Sequence, residues 1–454
     1  MFLGTPPVDD TLAIRQPDTL IPPPSATASL SGTAAPRPVW NLAIGWLLLI
    51  PMLYIAANGT FIPHAGEIDA AATGQTPGTD ATHKISIAFV SLICFLLIAF
   101  RFSPVIALAQ RARLILVFPL LTIVSSLWSA DPQQSVTSGV ILLIFTSFAV
   151  YVVSRFPARR QFELIMLMGA VALPLSIVLA LFVPSIGTSE AGWRGIFGHK
   201  QICAAVSIFL MVTALHWECS GAYRRIFRAV YLLMCALLIV MSQSRTGWVL
   251  ALVAVVITGT LWVLQKMPAK QGLLVVLLAI PVTVAALYVL YVLSPGILTS
   301  VGKDSTLSQR TIIWSAAWDA VARRPLQGYG FAAFWKGLYG PSQPVVLVAG
   351  WGLQQAQNGF LDVCLGVGLI GLGVVVAITW QGLRNAVRCF HRGENEPYVR
   401  WGVVVILCTL LYNIGESSIG LINLNWFLFL LAVIGLIQVA RLPVRSRPVW
   451  ESHG

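Results

Sequence analysis

Leu273–Ser294 reads LLVVLLAIPVTVAALYVLYVLS, and Phe360–Trp380 reads FLDVCLGVGLIGLGVVVAITW. Neither run contains Lys or Arg. Each matches the roughly 20 predominantly apolar residues that an α-helix needs to cross a bilayer. Outward from this pair, ten similar runs follow the same pattern: Trp40–Ala57, Ile85–Phe100, Leu114–Trp128, Val136–Ser154, Leu164–Val183, Ile202–Trp217, Ala229–Ser242, Gly247–Leu264, Trp401–Asn413 and Trp426–Val439. The chain is 57% hydrophobic and 10% charged, with a mean hydropathy of +0.82. Soluble domains carry about 25% charged residues, so the composition predicts an all-α polytopic transmembrane bundle of about twelve spans.

The organisation follows from what lies between the runs. Residues 1–39, rich in Pro, Ser, Thr and Ala, are expected to be a disordered tail with no cleavable signal peptide. Residues 40–440 are expected to form one membrane domain, and 441–454 a second tail. The formal charge of +12 does not point to nucleic acid, because membrane proteins concentrate Lys and Arg in cytoplasmic loops. Of the 29 basic residues, all but nine fall on one predicted side; the nine are Lys84, Arg194, Lys200, Arg245, Lys303, Arg310, Arg323, Arg324 and Lys336. The positive-inside rule then puts both termini in the cytoplasm and the 295–357 loop outside. The seven cysteines show no metal-like spacing and read as packing residues; no metal or cofactor is expected.

The 295–357 loop mixes charge with Trp314, Trp318, Tyr329, Trp335, Tyr339 and Trp351 more heavily than any other inter-helix segment. Thr311–Arg323 reads as an amphipathic helix with Ile313, Trp314, Ala317, Trp318 and Val321 on one face, stopping before Pro325. Three arginines, Arg194, Arg245 and Arg310, sit on the face that topology would keep poor in positive charge. Snorkelling is one reading of each. Guanidinium groups also bind phosphate oxygens with paired donors, so a lipid diphosphate is the natural ligand for the set. Trp314 and Trp335 can stack on sugar rings, although interfacial belts use the same residues. Candidate proton acceptors are His199, Asp304, Asp362 and Glu416. Lys200 should lower the pKa of His199. Asp362 falls near the start of a predicted span, where a carboxylate is either functional or favoured by the helix dipole. Glu416 lies in the polar break Asn413-Ile414-Gly415-Glu416-Ser417-Ser418, placed to touch sugar hydroxyls or to hold arginines.

Several motifs occur in order: Arg194-Gly195-Ile196-Phe197-Gly198-His199-Lys200, Ser244-Arg245-Thr246, Arg310-Thr311-Ile312-Ile313-Trp314, Pro325 to Trp335, and Gln357-Asn358-Gly359-Phe360-Leu361-Asp362 with Gly368 and Gly371. Together they resemble the O-antigen ligase and polymerase superfamily over about residues 85–440, especially its exopolysaccharide-polymerase branch. The resemblance implies a GT-C-like, metal-independent glycosyltransferase of the bacterial inner membrane. Its donor would be an oligosaccharide on undecaprenyl diphosphate, polymerised at the periplasmic face, with membrane lipids and a chain-length or export protein as partners. It implies diphosphate contacts at Arg194, Arg245 and Arg310; Lys200 is read as lying beside them, and Glu416, Trp314, Trp335 and Asn358 are read as sugar contacts. Ligases of the superfamily carry a His-Asn pair in the register of Asn358, Gly368 and Gly371. Here Gln357 stands at the His position, and a glutamine does not titrate. Catalytic roles then fall to His199, Asp362 and the Gln357 position. The alternatives are an O-antigen ligase acting on lipid A–core and a transporter of the same lipid-linked glycan. A transporter should gather its ionisable groups near the bilayer midplane, whereas these cluster in loops.

Overall fold

The computed structural model describes residues 40–57, 81–100, 102–189, 192–266, 307–350, 352–392 and 397–441. The expected span Leu273–Ser294, the expected tail 1–39, the expected second tail apart from Arg441, Lys303, Asp304 and Trp351 lie outside the described residues. The chain divides into two units, Met1–Ile44 and Gly45–Gly454, and the architecture below is that of the second.

In order, the helices are α1 (Trp40–Ala56), α2 (Ala81–Ala99), α3 (Phe102–Arg111), α4 (Arg113–Val124), α5 (Pro132–Arg155), α6 (Ala158–Phe182), the single turn α7 (Pro184–Gly187), α8 (Lys200–His216), α9 (Ala222–Met241), α10 (Arg245–Leu264), α11 (Leu307–Arg323), α12 (Gln343–Ala349), α13 (Gly359–His391), α14 (Pro397–Gly415) and α15 (Leu424–Val439). The sheet content among the described residues is one small ladder. Its strands β1 (Thr188–Ser189) and β2 (Gly192–Trp193) run antiparallel, with Thr188 opposite Trp193.

Side-chain caps start the helices that matter here. Asp131 accepts from Gln134 N ahead of α5, with Pro132 in the first turn. Ser244 accepts from Gly247 N ahead of α10, Asn358 from Phe360 N and Leu361 N ahead of α13, and Asn423 from Trp426 N ahead of α15. Each cap supplies an acceptor to backbone donors that have no partner within the helix. Helix α15 is apolar all round and buried along almost its whole length, as a central helix should be. It packs against α13, α14, α5 and α8. Phe118 meets Trp426, and Phe148 stacks on Phe427, at ring distances of 5.8 and 5.5 Å.

Among the described residues five helices, α5, α6, α10, α13 and α14, are long and apolar enough to cross a membrane, or up to six if the bent pair Lys84–Ala99 and Phe102–Arg111 is one span. The other predicted spans within the described residues are shorter apolar helices, such as Lys200–His216 and Leu424–Val439, or helix α9, which begins with Arg224, Arg225 and Arg228.

Helix α13 is not continuous. Val367 (φ −128°, ψ 15°) and Gly368 (φ 69°, ψ −171°) break it. The backbone groups released by the break find partners on Pro325–Gly330: Tyr329 N donates to Leu365 O, Gly330 N to Gly366 O, Leu369 N to Pro325 O and Ile370 N to Leu326 O. This strap also bonds the segment that leads into α5. Ala130 N donates to Tyr329 O, Trp128 Nε1 to Gln327 O and Ser135 Oγ to Phe331 O. Buried irregular backbone needs its polar groups paired, and the strap meets that need on both sides. A side chain at Gly368 would strike the Leu326 carbonyl, at a φ that already favours glycine.

The part of α13 before the break belongs to a second hydrophobic core. That core is built from Ile313, Ala317, Ala320 and Val321 of α11, Tyr329 and Phe334 of the strap region, Val345 and Val346 of α12, and Cys364 and Leu365. The expected amphipathic helix is therefore present and begins earlier, at Leu307. Its buried face differs in one respect: Trp318 is 55% exposed, because the core is met by the 313–317–320–321 stripe and residue 318 stands off its edge.

Candidate functional site

Arg310 is the hub of a polar cluster drawn from three separate segments. Its Nε donates to Gln357 Oε1 at 2.9 Å, and its Nη2 to Glu416 Oε1 at 3.0 Å. Nη1 makes no hydrogen bond among the described residues. A β-carbon built on Gly415 would lie 3.2 Å from Arg310 Nη1 and 3.6 Å from Thr246 Cγ2, so the guanidinium lies close to the head of α10. Arg245 is the first residue of that helix; it has no hydrogen bond or ion pair among the described residues.

Glu416 follows the last residue of α14 and is 3% exposed. Burial pushes its carboxyl up to about 7, against the opposing pull of Arg310. Only Oε1 is engaged by Arg310. Oε2 has no hydrogen-bond partner among the described residues.

Gln357 has a φ of 52°, a left-handed conformation that non-glycine residues seldom adopt. Its neighbours hold it there. Ala356 O accepts from Trp314 Nε1 at 3.0 Å, and Ala356 N donates to both oxygens of Asp362 at 3.0 and 3.2 Å. Asp362 also accepts from Trp335 Nε1 at 2.8 Å and from Ser417 Oγ. One carboxylate thus ties the residue before Gln357 to the residue after Glu416. Asn358 does similar work. Its Nδ2 donates to Ile414 O at 3.2 Å while its Oδ1 caps α13, and Gly359 N donates to Glu416 O at 3.0 Å.

The remaining predicted residues lie around the neighbouring helix heads. His199 caps α8, its Nδ1 accepting from Gln201 N at 3.3 Å. Desolvation, with the Lys200 and Arg194 charges adding, holds its pKa below the ordinary histidine value. The heads of α8 and α10 lie side by side, since a β-carbon on Gly247 would meet Ala204 Cβ at 2.6 Å. Arg194 is 8% exposed. Its Nε donates to Ile186 O at 2.7 Å and its Nη2 to Ser185 O at 3.1 Å, so it braces the turn of α7.

The structure thus brings Arg310, Gln357 and Glu416 into direct contact and sets Thr246, the residue after Arg245, close to them. It surrounds them with Trp314, Trp335, Asn358 and Asp362, whose polar groups are engaged in scaffold bonds. It gives His199 and Lys200 no contact with the Arg310 cluster among the described hydrogen bonds. Sequence reasoning gives Glu416 an arginine-holding role without naming Arg310 as its partner, and it does not specify the bridging Ser417; the available signal is a lone carboxylate in a polar break between two apolar runs.

These features define an all-helical membrane protein with a cationic site at the junction of helix ends. Residues 230–376 match the O-antigen ligase family, a stretch that includes Arg245, Arg310, Gln357 and Asp362. Over 311 residues the chain is 24% identical to the exopolysaccharide production protein ExoQ of Rhizobium meliloti (strain 1021), covering 64% of this chain and 70% of that protein. The two matches support membership of the O-antigen ligase/polymerase superfamily, and with the apolar helices they point to an integral membrane protein.

Proposed function

We propose that this protein is a glycosyltransferase that polymerises undecaprenyl-diphosphate-linked oligosaccharide repeat units into exopolysaccharide at the periplasmic face of a bacterial inner membrane. The observation that carries this reading is Arg310: two of its donors are fixed by Gln357 and Glu416, and Nη1, which makes no hydrogen bond among the described residues, lies near the head of α10. In our reading Arg310 Nη1 and Arg245 bind the diphosphate, aided by the positive end of the helix. Their charge offsets the negative charge that grows on the leaving group as the anomeric bond breaks, and no metal is assigned to the step. Arg194 and Lys200 support the shape of the site from the α7–α8 side. Asn358 and Asp362 hold the Gln357 loop, and Trp314 and Trp335 wall the site where sugar rings would lie. The topology that suits this chemistry has about twelve spans, cytoplasmic tails at 1–39 and 441–454, and the 295–357 loop outside.

A ligase reading has one observation in its favour, the O-antigen ligase family match. Against it stands Gln357 at the ligase histidine position. A deletion strain separates the two: a single repeat unit accumulating on the lipid supports polymerisation, and finished polymer left on the lipid supports ligation. Normal surface polymer in the deletion strain would overturn both.

A further inference from the structure

We propose that Glu416 is the catalytic proton acceptor for the attacking sugar hydroxyl, and that Arg310 holds acceptor and donor in register by pairing with Glu416 on one side and with the donor diphosphate on the other. The inference rests on the polymerase reading and adds to it the group that replaces the ligase histidine.

The geometry divides the work between atoms. Arg310 Nη2 fixes Glu416 Oε1 at 3.0 Å, and Arg310 Nε is fixed by Gln357. Among the described residues that leaves Arg310 Nη1 for a phosphate oxygen and Glu416 Oε2 for a hydroxyl, so one rigid guanidinium plane would hold the carboxylate and the leaving group. In the step, the acceptor oxygen forms a bond to the donor's anomeric carbon. The bond from that carbon to the diphosphate breaks, and its electron pair leaves on undecaprenyl diphosphate. The hydroxyl proton passes to Glu416 Oε2 and is later released to water.

The other candidates fit the role less well. Asp362 is bonded by Trp335, Ala356 and Ser417. Gln357 does not titrate, and His199 caps α8. Among the described residues, the ionisable neighbours of Glu416 are Arg310 from α11, Tyr412 in the last turn of α14 and Asp362 across Ser417. A carboxyl group raised toward neutrality by burial is a stronger base than an exposed one while still ionising near pH 7.

The test uses full-length protein in nanodiscs with purified lipid-linked repeat units, measuring donor binding and turnover separately. Glu416→Gln should bind donor within about threefold of wild type and turn over roughly 10²–10⁴-fold more slowly. Wild-type turnover should show an acid limb controlled by one group near neutral pH. Glu416→Asp should keep such a limb at lower pH, and His199→Ala should leave it in place. Turnover by Glu416→Gln within threefold of wild type would overturn the proposal. So would a parallel loss of donor binding, which would make Glu416 only a support for Arg310. If Glu416→Gln fails to fold, a wild-type profile flat from pH 5 to 8 overturns it without any variant. Wild-type protein that neither binds nor elongates the lipid-linked unit would refute the polymerase reading instead.

Discussion

Asp362→Asn separates a positioning carboxylate from a chemical one. In the wild type, Asp362 receives hydrogen bonds from Trp335 Nε1, Ala356 N and Ser417 Oγ. Asparagine keeps one oxygen and turns an amide donor toward the others. One donor is then left without a partner, which costs about 1–3 kcal/mol, and the bonds that remain change from charge-assisted to neutral, removing about 1 kcal/mol each. Relief of the carboxylate's desolvation returns part of this, leaving a net loss of about 2–4 kcal/mol. The loss should be local, because the released groups hold the 352–357 link and Ser417 rather than the α15 core. Hydrogen exchange at Ala356 N should accelerate by about 30- to 1,000-fold, the same range expressed as an opening equilibrium. Activity should fall because Gln357, strained at φ 52°, no longer fixes Arg310 Nε, and the pH–rate profile should keep its shape. Unchanged exchange at Ala356 and unchanged thermal unfolding in an inactive Asp362→Asn protein would refute the reasoning and make Asp362 a participant in the chemistry.

Arg245→Ala and Arg310→Ala should each abolish polymer at normal protein level, and Arg→Lys should rescue poorly, because a point charge replaces a planar fork; polymer and protein measured together in the same strains test this, and full activity of either alanine variant removes that arginine from the site. Gln357→Ala should lower turnover by less than the roughly 10²–10⁴-fold typical of a lost general base and leave the pH profile unchanged; a complete loss with donor binding intact would contradict this. A cysteine at Tyr339, which is 86% exposed, should react with an impermeant maleimide in spheroplasts; labelling only after the membrane is permeabilised would invert the topology.

Much of the fold was legible because its signals are local. The apolar runs and the stripe on α11 each occupy one continuous segment. The break in α13 was not legible. Phe360–Trp380 reads as one apolar run, and Gly366 and Gly368 look like glycines that a span tolerates. What makes Gly368 a break is the strap from Pro325, more than thirty residues earlier in the chain, which supplies the hydrogen bonds the helix gives up. Arg194 shows the same limit on the site. An arginine that binds phosphate and one that braces carbonyls of Ser185 and Ile186 have the same local sequence, and only the fold distinguishes them.

The break also explains why the polar cluster is compatible with a membrane chain. An uninterrupted α13 would carry Asp362 in the same rigid rod as its apolar C-terminal part, and a carboxylate there would demand a partner at the bilayer. With the break at Val367–Gly368, residues 359–366 join α11, α12 and the strap around their own core. Asp362 then sits among loop donors, and its bonds fix the position of Gln357 rather than of a span. Glu416 gains from the same arrangement, because Gly359 N holds its carbonyl and Ser417 bridges to Asp362. Arg310 therefore meets two partners, Gln357 and Glu416, on segments that are also hydrogen-bonded to each other. Such preorganisation suits a charged site that must act without rearranging, and it ties the placement of Arg310, Gln357 and Glu416 to a glycine inside an apparently ordinary apolar run.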